Sequence, residues 1–317
     1  MMNGGSSPDG FTFASLVVHL KALERVVLPP NSGSTFRGAF GRAFRNVECR
    51  RRGPQNCLQC FLQGQCLYYR YFLRANPGGR HPVRPYIFEV PYGRPIRVEP
   101  GEQVAFIFTL VGEGLEYLPV FLAVFEEMGN CGLGKGKSRC VLDSVYALGD
   151  EEHLPVYLKT SGERVLNPPI VRHWKQFADK TCGYAQRVQV QFLTPTRIQS
   201  KGRLIDDVPF HILVDKLLNR ILDLDREYCG GTLDFPLAPL VRKAEEGVRR
   251  IEQKVVWYDW ERYSSYQNSR MKLGGIVGYV TYEGEVAPFI PYLYLGEYIH
   301  IGKQSTFGNG TIKVEVL

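Results

Sequence analysis

The 317-residue sequence contains no apolar run of about eighteen residues, the length that spans a bilayer, so it offers no transmembrane helix. Its opening residues, MMNGGSSPDG, lack a basic stretch followed by an apolar one and do not read as a secretory signal. These absences predict a cytoplasmic protein without a membrane partner, whose eight cysteines are mostly reduced. Histidine is scarce, and five of the six, His19, His81, His153, His173 and His211, have no recognisable partner in the pattern. Excess charge is also limited. A formal +7 and a pI near 8.9 permit nucleic-acid binding without requiring it.

What is present describes an ordinary globular chain. Hydrophobic residues make up 44% and charged residues 22%, enough to bury a proper core. The length slightly favours two domains. Eighteen Tyr and eighteen Phe will mostly fill that core, with some left to stack on bases.

The first half reads as strand, helix, insert, two strands, helix, strand. Phe11 to Leu23 alternates as a strand. Ser34 can cap a helix through FRGAFGRAFRNV, with Phe36, Phe40 and Phe44 on one face and Arg37, Arg42 and Arg45 largely on others. Tyr86 to Val90 and Gln103 to Val111 are rich in β-formers. Leu115, Leu118, Leu122 and Phe125 keep a helical period, and a last strand runs near Arg139 to Leu148. The second half repeats the order. QRVQVQFLTPTRI is a strand and PFHILVDKLLNRILDLDREY a helix. A further helix is expected around Ala238 to Ile251, and strands near Val255 to Trp260 and Gly275 to Tyr282. A short helix begins near Pro288 or Pro291 and ends at His300 to Gly302, before a final strand from Gly310 to Val316. Both halves therefore follow β-α-β-β-α-β, and the fold class is α+β with tandem ferredoxin-like domains. The N-terminal domain covers residues 1–150, with a cysteine-rich insert at 49–66. Prolines at 155, 168 and 169 mark a linker over 151–180, and the C-terminal domain covers 181–317.

Two glycine-rich loops fall at the same node, between second helix and last strand. HIGKQSTFGNGTIKVEV holds His300, Lys303, Gly308 and Gly310. Imidazole moves protons near neutral pH, lysine neutralises a charged transition state, and glycines let backbone amides approach a phosphate. The same residues also suit a core histidine followed by an ordinary tight turn. GLGKGKSRCVL places Gly134, Lys135, Lys137 and Arg139 in alternation, a pattern for phosphate contact or for a solvated turn. In WYDWERYSSYQNSRMKLGG, aromatic rings lie near Arg262, Arg270 and Lys272, which suits stacking on unpaired bases, or a core with solvated charges. Cys49, Cys57, Cys60 and Cys66 follow C-x7-C-x2-C-x5-C. Four thiolates fit a structural zinc with no open position, although a degenerate site or a disulfide in an oxidised preparation also fits.

Taken together, FRGAFGRAF, the clustered cysteines, RYSSYQ, LGGIVGYVTYEG and HIGKQSTFGNGTIKV make the chain resemble the CRISPR repeat-RNA processing endoribonucleases of the RAMP superfamily, in the subgroup with a cysteine-rich insert. The resemblance implies two ferredoxin-like RAMP domains and metal-independent cutting of precursor CRISPR RNA within its repeats. A 2′-hydroxyl would attack the adjacent phosphate, leaving a cyclic phosphate and a 5′-hydroxyl, with no catalytic metal. Many members carry a catalytic histidine on or near the first helix. Here Ser34 to Val47 has none, and His19 is the nearest in sequence. The expected catalytic group is His300 as base or acid, with Lys303 and Arg37 steadying the phosphate. Expected RNA contacts are Gly134, Lys135, Lys137, Arg139, Arg42, Arg262, Lys272, Gly308 and Gly310. The expected partners are CRISPR repeat RNA and other CRISPR-associated proteins, the chain acting as monomer or homodimer. The alternative is a non-catalytic RAMP-type RNA-binding subunit of an interference complex, and a remoter one is a metal-stabilised structural protein.

Overall fold

The computed structural model describes residues 10–50, 56–74, 82–159, 164–179, 183–264 and 269–317, and leaves the side chains of 164, 165 and 261–272 undescribed. The chain divides into two compact units. One comprises Ala14–Val171, and the other begins at Arg172 and includes the segment ending at Phe13.

The N-terminal unit contains β1 (Thr12–Ala22), β2 (Val26–Leu28), α1 (Gly33–Glu48), β3 (Tyr86–Glu89), β4 (Ile96–Val98), β5 (Gln103–Val111), α2 (Leu118–Cys131), β6 (Cys140–Leu148), β7 (His153–Lys159) and β8 (Arg164–Leu166). Its sheet runs β3-β5-β1-β6-β7-β8. The first four strands give the 2-3-1-4 order of a ferredoxin-like fold. Helix α1 forms because Phe36, Phe40 and Phe44 recur every fourth residue and are all fully buried. The Phe40 ring lies 5.0 Å from Tyr86, 5.2 Å from Phe88 and 5.5 Å from Phe108, so the helix is held on β3 and β5 by aromatic packing. Gly41 is required there, since a Cβ would collide with the Phe72 ring. The helix starts one turn boundary earlier than Ser34. Ser32 sits at the cap position, and its hydroxyl donates to the Pro91 carbonyl at 3.1 Å instead of capping the helix.

The C-terminal unit contains β9 (Arg172–His173), α3 (Trp174–Ala178), β10 (Arg187–Thr196), β11 (Ile198–Ser200), β12 (Arg203–Ile205), α4 (Phe210–Tyr228), α5 (Leu237–Gly247), β13 (Val248–Tyr258), β14 (Glu261–Ser264), β15 (Ser269–Lys272), β16 (Gly275–Gly284), α6 (Ile290–Ile299) and β17 (Ile312–Val316). Thr12 and Phe13, the first two residues of β1, pair with β9 in this unit. The main sheet runs β13-β16-β10-β17, again 2-3-1-4. Val190 of β10 pairs with Val280 on one side and Val314 on the other, at the centre of an antiparallel core.

Two expectations change. Residues 151–180 are not a linker: β7 and β8 extend the N-terminal sheet, and β9 and α3 belong to the C-terminal unit. Prolines there interrupt a pattern without excluding edge strands. The helix expected to reach Ile251 ends at Gly247, and β13 begins at Val248, opposite Gly284 of β16. Pairing along β16 overrides the helical propensity of that charged stretch.

Candidate functional site

The glycine-rich loop of the C-terminal unit starts where α6 stops. Its cap residue is His300, with φ 61° and ψ 170°, a conformation ordinarily left to glycine. The equivalent cap at the end of α2 is Gly132, with φ 78° and ψ 154°. One backbone turn thus serves both halves, and His300 occupies a glycine position. Its side chain is 1% exposed. Nδ1 donates to the Asn309 carbonyl at 3.1 Å, and Nε2 lies 3.4 Å from the Thr311 hydroxyl, which donates to the Gly308 carbonyl at 3.3 Å. This imidazole therefore ties the two ends of its loop together. The ring is enclosed by the loop it braces, which favours the core-histidine reading of this position over the base or acid.

The glycines have a similar role. Gly308 and Gly310 are buried, and the Gly310 carbonyl accepts from Ile301 N at 2.9 Å. A Cβ on Gly310 would strike the Ile301 carbonyl, and φ of 80° already disfavours a side chain. They shape the loop, and the Gly308 amide is spent on the Ser305 carbonyl at 3.0 Å.

The loop docks on the corner between β10 and β11. Lys303 N donates to the Arg197 carbonyl at 3.2 Å, and Gly302 is pressed against the same carbonyl. Lys303 itself is exposed. Arg197 donates to Gly274 O at 2.7 Å, so the corner is also fastened to the start of β16. The β11–β12 hairpin leaves this corner with Lys201 and Arg203 exposed. From α4, Arg220 donates to Ile299 O and to the Ser305 hydroxyl, both at 2.8 Å. Burial draws its pKa down to about 10. It satisfies the last carbonyl of α6, where the helix dipole favours a cation.

The middle loop repeats this construction. Arg42 of α1 donates to Gly132 O at 3.5 Å, as Arg220 does from the first long helix of the other unit. The loop docks on the β1–β2 corner: Leu23 N donates to Arg139 O at 2.9 Å, Ser138 donates to Arg25 O at 2.7 Å, and Gly134 abuts Val27 O. Lys135 and Lys137 are exposed at the loop tip. Arg139 is paired with Glu24 at 3.4 Å, whose carboxyl lies below its usual range because the Arg139 backbone N–H bonds it.

Arg37 is not a loose cation. Its guanidinium stands 4.4 Å over the Phe72 ring, and its charge works against the rise that burial gives the Tyr86 hydroxyl's pKa. Arg262 pairs with Met271 and Lys272 with Glu261 in the β14–β15 ladder, which places both on a hairpin. Their side chains lie outside the description, and His81 lies outside the described residues altogether. Cys49, Cys57, Cys60 and Cys66 are half-buried, and none forms a disulfide. Burial pushes the Cys66 thiol up, and the nearby charges of Glu48 and Cys57 add to it. The donor chemistry suits zinc, yet among the described residues no three candidate ligands converge. The four thiols are the residues that would hold zinc, and no chemistry is routed through it.

Sequence reading missed Arg197, Lys201, Arg203 and Arg220. No motif marks them, because docking of the loop on a strand corner brings them together. The usable signal was their recurrence, an arginine on the first helix of each half.

Residues 11–170 match the family described as AF_1859_N, an N-terminal domain, and residues 190–312 match CRISPR-associated endoribonuclease Cas6. An uncharacterized protein of Archaeoglobus fulgidus is 25% identical over 299 residues, covering 90% of this chain and 92% of that one. A Cas6 (TTHB231) product complex is 14% identical over 96% of this chain and 99% of that chain, with a TM-score of 0.60. Thermus thermophilus Cas6 (TTHB231) is 12% identical over the same shares, with a TM-score of 0.56. A partial Cas6-RT-Cas1--Cas2 complex is 14% identical over 97% of this chain and 46% of that chain, with a TM-score of 0.57. At these identities the structures establish a shared tandem ferredoxin-like fold.

Proposed function

As a member of the family described as AF_1859_N that carries a CRISPR-associated endoribonuclease Cas6 domain, the chain is a Cas6-type, CRISPR RNA-processing protein, and on that premise we propose that it cuts precursor CRISPR RNA within its repeats without a metal. The observation that carries this reading is the placement of the domain match. It runs from β10 through the glycine-rich loop to the first residue of β17, and so includes the loop docked on the Arg197 corner.

The reaction proposed is attack of a 2′-hydroxyl oxygen on the adjacent phosphorus. A new P–O2′ bond forms as the P–O5′ bond breaks. The 2′-hydroxyl proton leaves, and the departing 5′-oxygen takes one up, so the products are a 2′,3′-cyclic phosphate and a 5′-hydroxyl. Charge grows on the phosphorane oxygens, and fixed cations stabilise it more than they stabilise the ground state. Lys303, exposed on a loop whose backbone is held at both ends, is the cation proposed for that role. Arg37 is proposed to act indirectly, by fixing the aromatic wall beside α1 on Phe72. Lys135, Lys137 and Arg42 are proposed to hold RNA backbone by charge.

Burial of His300 favours a second reading, an RNA-binding subunit that holds repeat RNA without cutting it. Incubation of the purified protein with its repeat RNA in excess chelator separates the two. A shortened product ending in a cyclic phosphate supports the endoribonuclease. Tight binding with intact RNA supports the subunit.

A further inference from the structure

The sheet face that points away from α1 and α2 in the N-terminal unit carries a second constellation, which the proposed cleavage does not use. Phe106 and Phe108 of β5 face the helices, with Phe36 and Phe40 against them. Gln103, an odd-numbered neighbour on β5, therefore points to the opposite side. There, His19, Gln103, Asp143, Ser144, Tyr146, Leu158 and Lys159 line a depression of about 370 Å³.

Two irregularities build it. The β1–β6 register passes from His19↔Ser144 to Leu20↔Leu142, so Asp143 is an extra residue, bulged out of the ladder. The β6–β7 register shifts again between Val145 and Tyr146. Bulges re-aim side chains and recur beside functional sites. Here the first places two successive residues, Asp143 and Ser144, in the same depression. Gln103 Nε2 donates to Asp143 Oδ2 at 2.7 Å and so fixes that carboxylate. His19 Nδ1 lies 3.4 Å from the Ser144 hydroxyl, and its ring meets Tyr146 edge to face at 5.9 Å. Burial holds the His19 pKa below its usual value, with the Asp143 charge acting in the other direction. A largely neutral imidazole and a phenol ring thus stand beside a fixed carboxylate, over the apolar floor of Leu158, with Lys159 at the rim.

The outward sheet face of the C-terminal unit carries paired charges instead. Glu283 is held between Arg187 and Arg249, each at 2.6 Å. Lys254 covers the Tyr279 ring at 5.6 Å and pairs with Glu252 at 2.7 Å. One unit's outward sheet face shows ion pairs, and the other's gathers aromatic and polar groups in a depression.

We infer that the depression around His19 and Asp143 is a subsite for one unpaired guanine of the RNA. Unpaired bases are read by stacking on rings and by hydrogen bonds to their Watson–Crick edge. Guanine presents two adjacent donors there, N1–H and the exocyclic N2–H, and a carboxylate accepts both. Adenine and cytosine offer one such donor group beside an acceptor, and uracil places N3–H between two acceptors. Lys159 would meet the attached phosphate. The inference rests on the reading of the chain as an RNA-handling protein, but it does not depend on cutting.

The test is calorimetric titration of the full chain with GMP, AMP, CMP and UMP. GMP should bind tightest, and Asp143→Asn should weaken GMP by about tenfold, the size of a lost bidentate base contact, while leaving the other three little changed. Tyr146→Leu should weaken all four, through lost stacking, with an unchanged thermal midpoint. Equal affinities, absence of GMP binding at millimolar concentration, or an Asp143→Asn variant that binds GMP like the parent would overturn the inference. Precursor cleavage, scored separately on the same preparation, reports on the proposed function alone.

Discussion

At the scale of single residues, side-chain type and backbone angle give opposite readings of position 300. A histidine three residues before a lysine suggests proton transfer, whereas φ of 61° and 1% exposure make the ring a strut. Sequence reports the imidazole but not the dihedral, so it could not choose between the chemical reading and a core histidine. The comparison that exposes the strut is Gly132, the residue at the same node of the other half. His300→Ala should remove two buried hydrogen bonds and cost about 1–3 kcal/mol in denaturant unfolding. The single-turnover cleavage rate of the folded protein should keep its pH profile. Lys303→Ala should do the reverse: stability is unchanged, RNA binding weakens, and the slope of log affinity against log salt falls by about one. Asp225 supplies a pH prediction. Its side chain is buried, Oδ2 accepts from Leu233 N at 2.9 Å, and Oδ1 has no partner among the described residues. Burial raises its pKa, so the folded state binds the proton more tightly than the unfolded state does. That contribution is fully present below the ordinary carboxylate value and is lost as pH rises through the folded value. Asp225→Asn should therefore stabilise the protein more at pH 7 than at pH 4, read from thermal midpoints at both.

At the scale of elements, what was legible had a period. The i, i+4 phenylalanines of α1 and the alternation of β5 and β10 placed those elements within a few residues of where they lie. Hidden from sequence was whatever a partner decides. Strand β13 starts at Val248 because β16 is there to pair with it, and β7 and β8 exist because β6 offers an edge. The candidate site divides the same way. Lys303, Lys135 and Lys137 were visible as exposed cations between glycines, while Arg197 and Arg220 needed the loop to be docked. The glycines were visible too, but the carbonyls that crowd them were not. Gly310→Ala and Gly132→Ala should each cost more than about 1 kcal/mol, since φ is positive and a carbonyl occupies the space a Cβ would fill. Gly64→Ala, with open space around it, should cost little in the same unfolding measurement. For the cysteine insert, we propose that zinc, when supplied, gathers the four thiolates. Metal analysis after reducing purification should then find one zinc per chain, and a metal-free, fully folded protein would contradict the proposal.

At the scale of the whole molecule, the chain is one plan used twice. Each unit sets a sheet in 2-3-1-4 order, an arginine from the first long helix on the end of the second, and a glycine loop on a strand corner. Duplication explains why element order alone was enough to predict the fold, since each half corroborates the other. It also explains why function was harder to read, because a scaffold that recurs need not carry chemistry in both copies. The halves share exposed lysines at their loops and differ on their outward sheet faces, which show ion pairs in one unit and an aromatic, polar depression in the other. No described helix is long and apolar enough to cross a membrane, in keeping with the composition. The central claim is RNA cutting by the substrate's own 2′-hydroxyl without a metal. It is tested most directly by single-turnover cleavage of the repeat RNA in excess chelator, with and without one 2′-deoxy nucleotide at the cleavage position. The account predicts cutting of the all-ribose RNA, and a deoxy substrate that is bound equally well but left intact. Cleavage of the deoxy substrate, or no cleavage of either until a divalent metal is added, would contradict it.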